Sequence, residues 1–346
     1  MIADDLTGAC DAAAAFAQAG FSASVVLDDA RLSGCGSDLL AYSTETRNSE
    51  EAEAVVTTAL ACGRLLAAGR LILFKKIDSV LRGSPLAEVE AVSAKLGGVA
   101  VVFTPALPAQ GRLVVDGSLL VVDPDTGRAL EPPRRISTSA SVRVADAESF
   151  AELRRVAATA LSESDTPLFA GSAGLAEAVS AELALRLLGA PSARAIEPSP
   201  RPALLLIGTS HAVTDAQVAL LKASIPGVEK ALSAVGREPL VASTLVRLSW
   251  DSPPQLEGLA GRISSGDFGS LVLSGGDTAR YVLDAFGAGE IMLGGELEPG
   301  ICWGRIRGGV ADGLMVVTKS GGFGREDLLI RILDAATGRW RMLSRT

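Results

Sequence analysis

Met1-Ile-Ala-Asp-Asp-Leu-Thr-Gly-Ala-Cys10 opens the chain with a short apolar run, two carboxylates and a Thr-Gly pair ahead of an Ala-rich stretch. The pattern reads as strand, turn at Thr7-Gly8, and helix over Ala9–Ala19. Two carboxylates at a strand's C-terminal end are costly for stability alone, and open α/β sheets bind ligands at that place. Only Met1, Ile2 and Ala3 stand for a strand that ordinarily runs about 5–6 residues. The expectation is therefore that the natural start lies upstream, or that Asp4 and Asp5 are held less rigidly than such a pair needs.

Outward from this motif, apolar runs alternate with amphipathic segments. Strands are predicted at Ser24–Asp28, Leu39–Ser43, Arg70–Lys75, Val99–Thr104, Leu119–Val122 and Pro167–Ala170, with a short apolar run at Leu113–Val115. Helices are predicted at Ser49–Ala67, Pro85–Leu96, Ala147–Ser162 and Ser172–Leu188. Alternation at this spacing implies parallel βαβ units. A stretch rich in Pro, Ser, Ala and Arg then ends in Pro198-Ser-Pro-Arg-Pro202 and reads as a linker. Strands follow at Ala203–Ile207, Leu240–Arg247, Ser270–Leu273 and Gly313–Thr318, with a helix from about Ala212. The fold class is α/β: two domains, 1–190 and 203–346, joined by a linker over 191–202. Each is a mainly parallel sheet flanked by helices, with the active site expected in the interdomain cleft.

Composition narrows the function. The 346 residues are 48% hydrophobic but only 4% aromatic, so Ala, Val and Leu must fill the cores. A net charge of -8 argues against a broad nucleic-acid surface, though not against a small anion in a locally basic pocket. Charges interrupt every apolar run well short of a membrane span, and no signal peptide is visible. The four cysteines show no metal-type spacing and read as reduced thiols of a cytoplasmic protein. One histidine, His211, nearly excludes a His-based metal site. Oligomeric state is not legible, and homo-oligomerisation is left open.

In the first half, Lys75-Lys-Ile-Asp-Ser-Val-Leu-Arg-Gly-Ser84 follows a strand and precedes a helix with Pro85 in its first turn. Lys75, Lys76 and Arg82 bring cations near Asp78 and Ser79. Solvated charges at a helix start would explain them singly; their density at a strand end suits a carboxylate or phosphate ligand. Arg47, in Thr44-Glu-Thr-Arg-Asn48, has the planar fork to clamp a carboxylate. Thr104–Arg112 supplies another strand-end loop, rigidified by Pro105 and Pro108, as a pocket wall. Gly171-Ser-Ala-Gly-Leu-Ala176 opens a helix, and its small residues serve either an anion or close helix–sheet packing.

The second half carries Gly208-Thr-Ser-His211, Leu273-Ser-Gly-Gly-Asp-Thr278 and Lys319-Ser-Gly-Gly-Phe-Gly324, each between a strand and a helix. Together they suit a nucleotide phosphate cradle of backbone N–H groups. Neither the P-loop nor the Gly-x-Gly-x-x-Gly pattern occurs in them. Asp277 either binds Mg²⁺ or caps its helix.

In order, Asp4–Ala9, Lys75–Ser79 with Leu81–Gly83, Pro105-Ala106 with Gly111-Arg112, Gly171–Ala176, Gly275–Thr278 and Lys319–Gly324 make the chain resemble the four-carbon acid sugar kinase family over nearly its whole length. The resemblance implies ATP-dependent phosphorylation of threonate, erythronate or 3-oxo-tetronate at the 4-hydroxyl, with Mg²⁺. It implies sugar-acid contacts from Asp4, Asp5, Arg47, Lys76, Asp78 and Ser79; Arg82, by its charge, is a further candidate to meet the acid's carboxylate. It implies ATP contacts from Ser210, Gly275, Gly276, Asp277, Thr278 and Gly321; Gly322, in the same glycine loop, is a further candidate. Val80, Gly322 and Leu107 depart from the family's frequent Thr, Asn and Phe, and Val122–Ala140 is compressed; these changes bear on which acid is used. Asp78, then Asp4, are the expected acceptors of the hydroxyl proton, because neighbouring cations keep Asp78 ionised. The alternatives are a non-catalytic sensor of sugar acid or nucleotide and an ATP-dependent ligase or phosphosugar-processing enzyme on a similar scaffold.

Overall fold

A computed structural model describes residues 1–164, 166–189, 195–235, 242–251 and 254–338. The chain forms two compact units, Met1–Ala193 and Arg194–Thr346.

The first unit runs β1 (Ile2–Ala3), α1 (Leu6–Gln18), β2 (Ala23–Val26), β3 (Leu39–Ser43), α2 (Glu51–Ala67), β4 (Phe74–Lys76), α3 (Pro85–Lys95) and β5 (Val101–Thr104). It continues with β6 (Arg112–Val115), β7 (Ser118–Val121), β8 (Arg134–Arg135), β9 (Val142–Val144), α4 (Phe150–Glu163), β10 (Leu168–Gly171) and α5 (Ala173–Leu187). Seven parallel strands lie in the order β2-β3-β1-β4-β10-β5-β9. Val, Leu, Ala and Phe on these strands are buried on both faces, as helix-covered parallel strands require. The Ala-rich α1 is small enough to bury nearly its whole surface against the sheet and α5.

The register carries the function. Ser43, Ala3, Lys76, Gly171 and Thr104 are successive partners across five neighbouring strands. They form one row at the C-terminal edge, so the loops that follow them emerge side by side. A three-stranded antiparallel sheet, β6-β7-β8, is built on the loop after β5. Its first hairpin turns at Asp116 and Gly117, both with positive φ (47° and 67°), the geometry of a tight hairpin turn.

The second unit runs β11 (Ala203–Ile207), α6 (Ala212–Ser224), α7 (Leu232–Val235), β12 (Thr244–Arg247), α8 (Glu257–Ser264), β13 (Ser270–Ser274) and α9 (Gly276–Ala285). It closes with β14 (Glu290–Glu298), β15 (Ile301–Arg307), β16 (Met315–Lys319) and α10 (Leu328–Thr337). Strands β12-β11-β13-β16 are parallel, and β15 and β14 continue the sheet antiparallel. Ile207, Ser274 and Lys319 are register partners at the strand ends.

Three expectations are corrected, and one hairpin is new. Thr7-Gly8 is not a turn: α1 starts at Leu6, because Asp5 caps it by accepting from Gly8 N at 2.8 Å. The strand expected over Arg70–Lys75 forms only at Phe74–Lys76. The helix expected from Ala147 starts at Phe150, capped by Ser149. The β14–β15 hairpin was not expected: Gly294-Gly295 breaks the apolar alternation, yet Gly294 is where the Trp303 ring crosses the strand within 2.5 Å of an added methyl. Residues 191–194 of the expected linker, and Leu240–Val241 of the expected strand, lie outside the described residues.

Candidate functional site

Three loops of the first unit meet at the row of strand ends. Asp4, buried just past β1, takes both prongs of Arg47: Nε to Oδ2 at 2.9 Å and Nη2 to Oδ1 at 2.8 Å. Arg47 Nη1 also donates to Asp5 Oδ2 at 2.6 Å and lies 3.9 Å from Asp78 Oδ2. One guanidinium therefore faces three carboxylates, with three of its five N–H donors engaged. Burial works against its charge, but Asp5 and Asp4 outweigh burial and raise its pKa. For Asp4 burial pushes upward, yet Arg47, Lys75 and Lys76 hold the carboxyl below its ordinary range.

Lys75 and Lys76 leave β4 on opposite faces, as strand pleating dictates. Lys76 Nζ donates to Ile77 O at 2.9 Å and lies 3.2 Å from where a methyl on Gly8 would stand. The same methyl would lie 3.4 Å from Arg47 Nη2. Gly8 thus leaves room for Asp5, Lys76 and Arg47 to converge. Lys75 does not join them: its Nζ lies 2.6 Å from Glu88 Oε2 on α3, a fully buried ion pair whose angle is poor for a hydrogen bond.

Asp78 accepts four bonds. Oδ1 takes Val80 N (3.0 Å) and Arg82 N (3.2 Å); Oδ2 takes Arg82 Nε (3.0 Å) and Nη2 (2.6 Å). Burial again pushes its carboxyl upward, but the Arg82 bonds and Arg47 hold it at about 2. Arg82 itself is mostly exposed, Ser79 is half-buried beside it, and Leu81 between them adopts a positive φ of 60°. Gly83 packs on the Arg47 backbone, 2.8 Å from its carbonyl for an added methyl.

Two further arginines reach this loop. Arg112 donates to Gln110 O, and its Nε is buried without a partner. Burial pulls its pKa down while Asp78 pulls it back up, which places the two groups within electrostatic reach. Arg134, on β8, donates to Val80 O at 2.5 Å. No motif marked Arg134; only the β6-β7-β8 sheet delivers it. Lys76, Arg112 and Arg134 therefore end on carbonyls rather than carboxylates.

Gly171–Ala176 serves packing. Ser172 caps α5 and donates to Ala106 O at 2.6 Å, and a methyl on Gly174 would stand 2.8 Å from that same carbonyl.

In the second unit the three glycine loops converge. Gly275 has φ 106°, a conformation that suits glycine, and an added methyl would lie 3.0 Å from Thr278 Oγ1 and 3.3 Å from Thr209 Cβ. A methyl on Gly321 would lie 2.6 Å from Thr209 Oγ1, and one on Gly322 3.1 Å from His211 Nε2. His211 caps α6, its Nδ1 accepting from Val213 N at 3.2 Å. Ser210 and Asp277 are exposed, Gly276 half-buried and Thr278 buried. Among the described residues no group of three His, Cys, Asp or Glu side chains forms around Asp277. Trp250, 44% exposed, donates Nε1 to Gly208 O at 2.8 Å and meets Tyr281 edge-on. All four cysteines are buried and none is in a disulfide, and among the described residues no helix is long and apolar enough to cross a membrane.

Residues 1–134 match a sugar-binding N-terminal domain and residues 255–329 a nucleotide-binding C-terminal domain. A D-threonate kinase of Bordetella bronchiseptica is 32% identical over 98% of this chain and 97% of its own. A 3-oxo-tetronate kinase of Brucella melitensis is 24% identical over 94% and 93%. The first alignment runs over 395 residues against 346 here, so that relative carries stretches this chain lacks. The crystal structure of a Haemophilus influenzae protein shares the fold, with a TM-score of 0.70 at 20% identity over 97% of this chain and 98% of that one.

Proposed function

The chain belongs to the four-carbon acid sugar kinase family, and we propose that its first unit holds the sugar acid and its second the ATP. It is an ATP-dependent kinase that phosphorylates a hydroxyl of a four-carbon sugar acid. D-threonate is the proposed first substrate, on the 32% identity to a D-threonate kinase.

The observation that carries the division is the row of strand ends. In the first unit it gathers Arg47, Lys76, Arg82, Arg112 and Arg134 around Asp4, Asp5 and Asp78. In the second it gathers glycine loops and helix starts, with Lys319 buried behind them. A small carboxylate suits the first and a polyphosphate the second.

In this reading the substrate carboxylate is received by Lys76, Arg112 and Arg134, with Arg82 and the two free Arg47 donors beside them. Asp4, Asp5 and Ser79 accept from or donate to the sugar hydroxyls. Asp78 accepts the proton of the terminal hydroxyl as that oxygen attacks the γ-phosphorus and the ADP oxygen leaves. Its low pKa makes it a weak base that is always ionised, which suits a loose transfer where the proton departs late. Ser210, Gly275, Gly276, Thr278, Gly321 and Gly322 line the phosphates. Mg²⁺ would be held on the protein side by the exposed carboxylate of Asp277, and would supply neutralisation of charge on the phosphates. We place the reaction in the cytoplasm, where ATP is supplied and cysteines stay out of disulfides, as all four do here.

The test is ADP release, coupled to a product mass, across threonate, erythronate and 3-oxo-tetronate stereoisomers. One acid should turn over and gain a single phosphoryl group. Tight binding without turnover of any acid would return the chain to a sensor.

A further inference from the structure

Lys319 ends β16 with its side chain fully buried. Its Nζ has three donors and three acceptors: Thr214 Oγ1 at 2.9 Å, Ser320 O at 3.0 Å and Gly321 O at 3.2 Å. No donor is left for a ligand. No carboxylate lies within ion-pair distance of it among the described residues, unlike Lys75, the chain's other fully buried large cation.

Neighbouring bonds share one sense. Thr214 Oγ1 donates to Gly321 O at 2.7 Å. Gln217 Nε2 lies 3.0 Å from Phe323 O, 3.0 Å from Gly324 O and 2.9 Å from Arg325 O, three carbonyls sharing two hydrogens. The carbonyls of Ser320, Gly321, Phe323, Gly324 and Arg325 are thus drawn onto β16 and α6. A loop whose carbonyls are pulled inward turns free N–H groups outward, which is how a backbone anion site is built.

We propose that Lys319 is the positioning residue of the nucleotide site: it pins the glycine loop, and its uncompensated charge is matched when polyphosphate binds that loop. The proposal rests on the assignment of ATP to the second unit. Burial lowers the lysine to about 8, in keeping with a cation that lacks a counter-charge. Lys319 touches no phosphate, so its contribution grows with the charge on the ligand rather than with any one contact.

The experiment is calorimetric titration of the full chain with adenosine, ADP and ATP, for the parent, Lys319→Met, Lys319→Arg and Thr214→Val. The parent must bind ADP; if it does not, the nucleotide assignment itself fails. Lys319→Met is expected to leave adenosine affinity unchanged and to weaken ADP and ATP progressively, by about tenfold or more for ATP. KM for ATP should rise more than kcat falls, and KM for the sugar acid should not move. Lys319→Arg should recover most of the loss. If Lys319→Met does not fold, Thr214→Val, which removes one Nζ acceptor and the Gly321 tie, should give the same grading more weakly. Equal loss across all three ligands, or ADP affinity within twofold of the parent in a folded variant, overturns the proposal.

Discussion

Arg47 closes both prongs of its guanidinium on Asp4, at 2.9 and 2.8 Å, and so binds the loop after β3 to the end of β1. Arg47→Met leaves Asp4 buried without that partner and is expected to cost about 3–5 kcal/mol of stability. Arg47→Lys keeps the charge but loses the fork, and should cost less. Urea denaturation checks both; a Met variant as stable as the parent would show the pair to be idle.

Gly8 stands in α1, where alanine would ordinarily strengthen the helix by about 1 kcal/mol. Here the methyl meets Asp5 Oδ1 and crowds Lys76 Nζ. Gly8→Ala should therefore lose about 1–3 kcal/mol, seen as a lower Tm, and raise KM for the sugar acid. A higher Tm would mean that the three side chains shift freely.

Asp78 sits at about 2 in the fold against 3.8 ordinarily. Between those values the unfolded chain binds more protons, so stability falls as pH falls. The contribution is full above pH 4, on the order of 2 kcal/mol, and is lost by about pH 2. Stability curves of the parent and Asp78→Asn should converge across that window, and parallel curves would contradict the assignment.

As proton acceptor, Asp78 should matter most to turnover. Asp78→Asn is expected to lower kcat by about 100-fold or more with KM for ATP unchanged. Near-parental turnover in Asp78→Asn beside an inactive Asp4→Asn would transfer the role to Asp4.

Arg134 reaches Val80 O from β8, outside every recognisable motif. Arg134→Ala should raise KM for the sugar acid about tenfold and leave KM for ATP unchanged. Unaltered kinetics would reduce it to a prop for the loop.

Much of this was legible in the chain. Leu39–Ser43 and Ala203–Ile207 lie where their apolar runs predict, and the acidic, basic and glycine loops all fall at strand ends. What was not legible depends on partners distant in sequence. Lys75 looked like a member of the cationic cluster, but strand pleating turns it to Glu88. Asp5 looked like a ligand contact, and it also spends an oxygen on its own helix. Arg47 looked like a free clamp, and the fold sets it against Asp4 and Asp5. Thr214 and Gln217 carried no pattern, because their partners lie more than a hundred residues away.

The Lys75–Glu88 pair joins the strand before the Asp78 loop to the helix after it, beneath the loop itself. The segment is therefore a hoop closed at its base, with Gly83 resting on Arg47 at its crown. A closed hoop cannot open by swinging from one end. The Arg82 guanidinium can leave Asp78 to meet a ligand while the carboxylate keeps the backbone N–H bonds from Val80 and Arg82 and its place. Adding or deleting a residue between Ile77 and Ser84 would break the clasp or the crown, so this stretch is held to a single length.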